Sequence, residues 1–360
     1  MTNISKTVLF SLLFFLIFYL SNSLILSNFT DSTNPLSFLY IHYWYHEQFL
    51  INYRELGFVK RGLIGSILNT NFENYVFISK IYSLTIISLI SVLFSLIIIK
   101  SEFSKEHFNY IILFSLSPFF FQNLGFEFGR LDQIAILFSV LVAYLVISKK
   151  NIFIIEIIAP FLILIHEQIF FTFVNFLIFM QFSIKRPNLN RYYVVIMSII
   201  ILSFLFFFGG IENDTYLETK DKYRFIEIYF NKGHIESTLV FWKDILSFEN
   251  YLNILRHLFS ILLFVISASY FLKLFKLNYQ SLIYIILFTV LFVIPTDHSR
   301  SLYFFLINMM LLMIVKIKLN NLLINLPNFR YRYFLILLLG PIGTSTAFPI
   351  LGVIKKLIIN

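Results

Sequence analysis

Four short stretches join an acid to a base or a histidine inside an otherwise apolar chain: "YRELGFVKRG", "GFEFGRLDQ", "LIHEQ" and "PTDHSR". Glu55 stands near Lys60 and Arg61, Glu127 and Asp132 flank Arg130, His166 precedes Glu167, and Asp297 and His298 precede Arg300. Carboxylates and imidazoles move protons, while guanidinium and ammonium groups neutralise phosphate or developing negative charge. On that chemistry Glu55, Asp132, His166, Glu167 and Asp297 are candidate catalytic groups. Lys60, Arg61, Arg130, His298 and Arg300 are candidate ligands for phosphate or other negative charge.

Each stretch also has a purely structural reading. Lys60 and Arg61 can snorkel to headgroups while Gly62 and Gly65 let helices approach closely. Arg130 and Asp132 can form a salt-bridged helix start with Asp132 near the N-cap. "HE" can be a pair satisfied by neighbouring helices, and "TDHSR" a polar turn. Four such coincidences on one face shift the balance towards a site.

The elements that must position these groups are membrane spans. Of 360 residues, 59% are hydrophobic and 13% charged, and several apolar runs reach the about 20 residues that a helix needs to cross a bilayer. The expected fold is all-α, one polytopic transmembrane bundle over residues 1–360 with about 10–11 spans. These are placed near 7–27, 75–99, 108–124, 132–148, 151–165, 168–183, 192–208, 257–274, 279–295, 299–316 and 333–352. Residues 28–74 form a first outer loop with interfacial helices, and 209–256 a long outer loop holding Trp242, Lys243 and Asp244. The first run lacks a clear cleavage site and reads as an anchor.

The net charge of +9 is scattered over short loops, which is the pattern of topology signals and not of a nucleic-acid surface. With Lys6 inside, alternation puts Lys100, Lys105, Lys149, Lys150, Lys185, Arg186, Lys273, Lys276, Lys316, Lys318, Arg330 and Arg332 on the cytoplasmic side; Lys355 and Lys356 break the pattern. This also favours two short spans over 151–183, turning at His166 and Glu167. At 1.5 Å per residue such spans reach about 22 Å into a core of roughly 30 Å, so Glu167 lies below the membrane surface. A charge there costs roughly 2.5–3.5 kcal/mol and calls for partners or a polar cavity. The absence of cysteine excludes disulfides, thiolate catalysis and Cys-ligated zinc. His42 and His46 are spaced for a metal but have no clear third ligand, so no metal site and no cofactor is expected. The aromatic stretch "FLYIHYWYHEQFLINY" reads as an interfacial helix, with Trp44 and the tyrosines as anchors.

In pattern and organisation the sequence resembles the polytopic GT-C-type glycosyltransferases and related bacterial surface-glycan (O-antigen or capsule) assembly enzymes. "GFVKRGLIG", "GRLD", "HE" and "DHSR" carry the likeness, over residues 55–300. The resemblance implies a polyprenyl-phosphate or pyrophosphate sugar as donor, a glycan or lipid-linked acceptor, and an outer-loop carboxylate as base. Glu55 best matches that carboxylate, with Glu47 as its rival; Asp31 stands alone where many such enzymes have an acidic motif. It further implies a multi-pass protein of the bacterial inner membrane with a cytoplasmic N-terminus, associated with lipid and not with nucleic acid. Alternatives are an O-antigen or capsule polymerase, and a transporter of lipid-linked glycan or solute, which would use the same charges as a relay.

Overall fold

The computed structural model describes residues 2–25, 39–41, 43–71, 73–185, 187–210, 251–275, 278–293 and 298–320. Asp31, His42, Asp297, the 211–250 part of the long loop and the expected last span at 333–352 lie outside the described residues. Among the described residues the secondary structure is entirely helical. Five helices are long and apolar enough to cross a membrane: Asn3–Ser23, Tyr75–Ser101, Leu189–Phe208, His257–Phe275 and His298–Leu319. Gln133–Ile147, Phe153–Leu164 and Tyr279–Val293 are apolar but shorter.

In chain order the helices are α1 (Asn3–Leu20), α2 (Tyr43–Glu47), α3 (Tyr53–Leu56), α4 (Gly62–Leu68) and α5 (Tyr75–Ser101). Then follow α6 (Lys105–Leu116), α7 (Phe121–Phe126), α8 (Gln133–Ile147), α9 (Phe153–Ile158), α10 (Asn175–Ser183) and α11 (Asn188–Phe208). The last three are α12 (Tyr251–Phe275), α13 (Tyr279–Val293) and α14 (His298–Asn320). The share of each span buried inside the protein separates core from rim: 67% for α14 and 50% for α5, against 17% for α1 and α11. Along the middle of α1 and α11 the exposed side chains include the apolar Leu12, Leu16, Ile196 and Phe204. In a membrane protein these are the faces that meet lipid, and hydrophobic exposure there costs nothing.

One expected span is broken, and the two short spans after it are irregular helices. Residues 108–124 divide into α6 and α7 around Ser117–Phe120, where Pro118 removes a helix donor. Residues 153–183 form a hairpin: α9 passes through a 3₁₀ segment at Ala159–Leu164, and His166 adopts extended backbone at φ −161°. A π-helical turn at Phe170–Val174 then leads into α10. The Gln181 amide donates to Glu156 at 3.0 Å. A continuous helix would hold residues 25 apart about 37 Å from one another, so the chain must double back, with its turn at His166 and Glu167.

The two ends of the bundle differ in chemistry. At one end Lys100 donates to Ser148 (3.0 Å) and Tyr144 (3.3 Å), Lys318 pairs with Glu102 (3.1 Å), and Lys316 donates to the Leu274 carbonyl. Lys100, Lys316 and Lys318, three of the lysines that alternation places on one side, thus lie at this lysine end. At the opposite end lie the C-terminus of α1, the loop before α8, the hairpin turn, and the starts of α4 and α14. There Asn22 clips the first loop to α7, donating to the Tyr40 (2.7 Å) and Gly125 (3.0 Å) carbonyls and accepting from Tyr40 N–H (2.8 Å). The chain's lack of cysteine makes sidedness simple to test. Asn69→Cys is expected to react with an impermeant thiol reagent on intact cells, whereas Glu102→Cys and Lys150→Cys are expected to react only after permeabilisation.

The segment 49–70 folds back on itself to present Arg61. A Cβ at Gly65 would lie 2.2 Å from the Ile51 carbonyl oxygen and 2.6 Å from that of Phe49, so only glycine lets α4 pack on this backbone. Ser66 accepts from Tyr53 N–H (2.7 Å), and Thr70 donates to the Phe49 carbonyl. The expectation of close helix packing at Gly62 and Gly65 is thereby met, and it coexists with a polar role for Arg61.

Candidate functional site: a buried acid–base cluster

Arg61 caps α4 with a left-handed backbone, φ 65°. For a non-glycine residue this conformation costs on the order of 1–2 kcal/mol and persists only where surroundings fix it. What fixes it is Glu167: the guanidinium grips the carboxylate through two donors, Nη2 at 2.5 Å and Nε at 3.2 Å. This fork-on-fork geometry is the strong form of an Arg–carboxylate pair. The same turn holds Lys60, whose backbone N–H donates to Gly209 at 3.1 Å. Burial lowers the pKa of the Lys60 ammonium from its ordinary value; the Glu167 charge opposes that shift and the Arg61 charge adds to it.

The "GFEFGRLDQ" loop supplies the second part. Gly129 takes φ 100°, and a Cβ there would sit 2.4 Å from Ile41, so glycine is needed for the loop to lie under the first outer segment. Gln133 ties the loop down by donating to the Leu124 (3.2 Å) and Glu127 (2.9 Å) carbonyls. Arg130 Nη1 donates to Glu127 Oε2 (2.9 Å) and to the Tyr45 hydroxyl (3.1 Å), and that hydroxyl donates to the same carboxylate oxygen (2.8 Å). The guanidinium also lies over the Tyr45 ring, 4.9 Å from its centre, a cation–π contact.

Asp132 stands between two guanidiniums, 3.4 Å from Arg130 Nε and 3.1 Å from Arg300 Nη1. Neither approach has hydrogen-bond alignment, so both carboxylate oxygens are held by charge and not by hydrogen bonds. The charges of Arg61 and Glu167 also act on Asp132, and Tyr82 and Tyr303 lie within its field. The two halves therefore form one electrostatic unit built from α4, the α7–α8 loop, the hairpin turn and the start of α14.

The unit is graded from inside to outside. Side-chain exposure is 1% for Glu127, 2% for Asp132, 8% for Arg300 and 10% for Arg130, rising to 12% for Arg61 and 19% for Glu167. Three carboxylates (Glu127, Asp132, Glu167) balance three guanidiniums (Arg61, Arg130, Arg300). Lys60 stands at the accessible edge of the unit, beside Arg61 and Glu167.

The remaining candidates fall at varying distances from this unit. His166 is buried beside it, but its Nδ1 accepts from Gln168 N–H at 3.2 Å and lies 3.7 Å from Glu167. A nitrogen that accepts in this way cannot also donate to the carboxylate, so Glu167 pairs with Arg61 instead of forming a His–Glu dyad. His298 is fully buried with its ring nitrogens on His257 and the Phe292 carbonyl, turned into protein. Glu55 is exposed on α3, whose N-terminus is capped by Asn52. Glu47 is half-buried on α2, two residues after Tyr45, and burial pushes its pKa up to about 7. Its charge acts on Tyr75, while His46 bonds Ser79 at 2.5 Å. Among the described residues no three His, Asp or Glu side chains are grouped as metal ligands.

Sequence reasoning missed Tyr45, Tyr82, Tyr303 and His257. Tyr45 stands in a stretch so rich in aromatics that anchoring accounts for all of them, and Glu127, which singles it out, is 82 residues away. No protein-family model, curated protein or solved structure matches the chain.

Proposed function

We propose that the protein is an integral-membrane glycosyltransferase of GT-C-like architecture in the bacterial inner membrane, with its lysine end and N-terminus cytoplasmic. On the opposite face it transfers a sugar from a polyprenyl-phosphate-linked donor to a glycan or lipid-linked acceptor during surface polysaccharide assembly. The observation that carries this reading is the buried acid–base unit with Lys60, Arg61 and Glu167 at its accessible edge. In the reaction an acceptor hydroxyl attacks the anomeric carbon, and the bond from that carbon to the phosphate oxygen breaks. The hydroxyl proton passes to a carboxylate, and the lipid phosphate leaves with its negative charge held by Lys60 and Arg61.

Of the two rim carboxylates, Glu47 is the better base. Support comes from its pKa of about 7, close to the working pH at which a general base is most effective. Glu55 remains the comparison residue. The grouping of charge at one end of the bundle favours transfer over transport, since alternating access uses groups near the midplane.

Lys60→Ala is expected to weaken binding of a polyprenyl-phosphate sugar by about 10–150-fold, the equivalent of a charge-assisted hydrogen bond of about 1.5–3 kcal/mol. Turnover at saturating donor is expected to change much less. The check is donor binding to purified protein in nanodiscs alongside single-turnover rates. Unchanged donor affinity would remove Lys60 from the phosphate seat.

A further inference from the structure

His257 and His298 lie outside the acid–base unit, yet they decide how one of its members is held. His257 Nδ1 and His298 Nδ1 are 2.7 Å apart, and the rings meet edge to face with centres 4.7 Å apart and planes at 88°. Both rings are buried, at 3% and 0% exposure. His298 Nε2 is 2.7 Å from the Phe292 carbonyl oxygen.

The proton positions follow from these partners. A carbonyl only accepts, so His298 Nε2 carries a hydrogen. A neutral His298 then has a lone pair on Nδ1, and His257 must donate to it from its own Nδ1. One further proton fits without loss: if it settles on His257 Nε2, His257 Nδ1 still donates, and if it settles on His298 Nδ1, the direction of the bond reverses. A second further proton does not fit, because two N–H groups would then face one another across 2.7 Å.

Around the pair, α12 contributes Ser260, α13 the Leu291 and Phe292 carbonyls, and α14 Ser299, Arg300 and Ser301. Ser301 donates to the Leu291 carbonyl at 3.2 Å, and Ser260 reaches Ser299 at 3.5 Å. His298 and Ser301 thus occupy carbonyls in the last turn of α13 that have no partner within their own helix. Arg300, between them in the first turn of α14, is the nearby charge among these described side chains, and it faces Asp132 at 3.1 Å. Lys273 and Lys316 stand at the far ends of α12 and α14.

We infer that His257 and His298 form a couple that holds one proton beyond neutrality but not two, and that this couple positions Arg300 against Asp132. His257 is a positioning residue acting through His298 and α14. The inference goes beyond the transfer reaction and does not depend on it.

The test uses the full chain in lipid nanodiscs with ring-¹⁵N histidine, resonances being assigned from His257→Asn and His298→Asn. In the neutral couple, at alkaline pH, His257 is expected to carry its hydrogen on Nδ1 and His298 on Nε2. On acidification the couple is expected to take up one proton with exchange of the α14 amides at 302–306 unchanged, and a second only as that protection collapses. His257→Leu is expected to raise exchange at 302–306 about tenfold, the equivalent of about 1.4 kcal/mol. His257→Asn, which keeps an N–H donor at the same place, is expected to restore it to within about twofold, which separates loss of the bond from misfolding. Neutral His257 with its hydrogen on Nε2 would overturn the couple. So would uptake of two protons with exchange unchanged, or a His257→Leu protein whose α14 exchanges like wild type.

Discussion

Asp132→Ala is expected to destabilise the protein by about 3–5 kcal/mol, the loss typical of removing one partner from a buried ion pair. Asp132 is 2% exposed and is the carboxylate between Arg130 and Arg300. Without it the buried Arg300 loses this carboxylate and Arg130 is left with Glu127. Asp132→Asn keeps the volume but not the charge and is expected to fall in the same range. Replacing Asp132 by leucine and Arg300 by methionine together is expected to recover much of the loss, because removing both buried charges also removes the cost of desolvating them. Reversible unfolding in mixed micelles, read as a shift at fixed denaturant slope, measures all three. A loss below about 1 kcal/mol for Asp132→Ala would show that the pair is solvated and worth no more than a surface bridge.

Glu47→Gln is expected to reduce turnover by roughly 10²–10⁴-fold, the usual cost of losing a general base, with donor binding nearly unchanged. The pH profile gives the same residue a signature. A base works deprotonated, so wild-type turnover is expected to rise about tenfold per pH unit below the Glu47 pKa of about 7 and to level off above it. Acid thus suppresses the reaction and alkali does not. In Glu47→Gln that limb is expected to vanish along with most of the activity. If Glu55→Gln is inactive and Glu47→Gln keeps the wild-type profile, the base is Glu55 and the rest of the mechanism stands.

The hairpin over 153–183 was legible because two one-dimensional signals agreed: the length of the apolar run and the lysine alternation beyond it. The structure turns it at the expected His166 and Glu167. Arg61, Glu167, Arg130, Asp132 and Arg300 were legible as chemistry because charge is costly in an apolar chain wherever it falls. The pairing of Arg130 with Glu127 and Asp132 was legible as well, but the partners of Arg61, Glu167 and Arg300 were not. Sequence proximity suggested Glu55 with Arg61 and His166 with Glu167, whereas helix packing brings Arg61 to Glu167 across 106 residues and Asp132 to Arg300 across the bundle. Neighbours in sequence that share a turn point to different faces, and only the tertiary contacts select among them. Tyr45 and His257 were illegible for the same reason: each is an ordinary residue until its distant partner arrives.

The central claim is that the charged end of the bundle carries out transfer from a lipid phosphate. Its most direct test is purified full-length protein in proteoliposomes, supplied with a polyprenyl-phosphate sugar and candidate acceptors on the outer side, with released polyprenyl phosphate measured over time. The account predicts acceptor-dependent release that follows the Glu47 pH profile and is lost in Glu47→Gln. Absence of release with every donor and acceptor, together with movement of the lipid or a solute across the membrane, would contradict it and make the same charges a transport path.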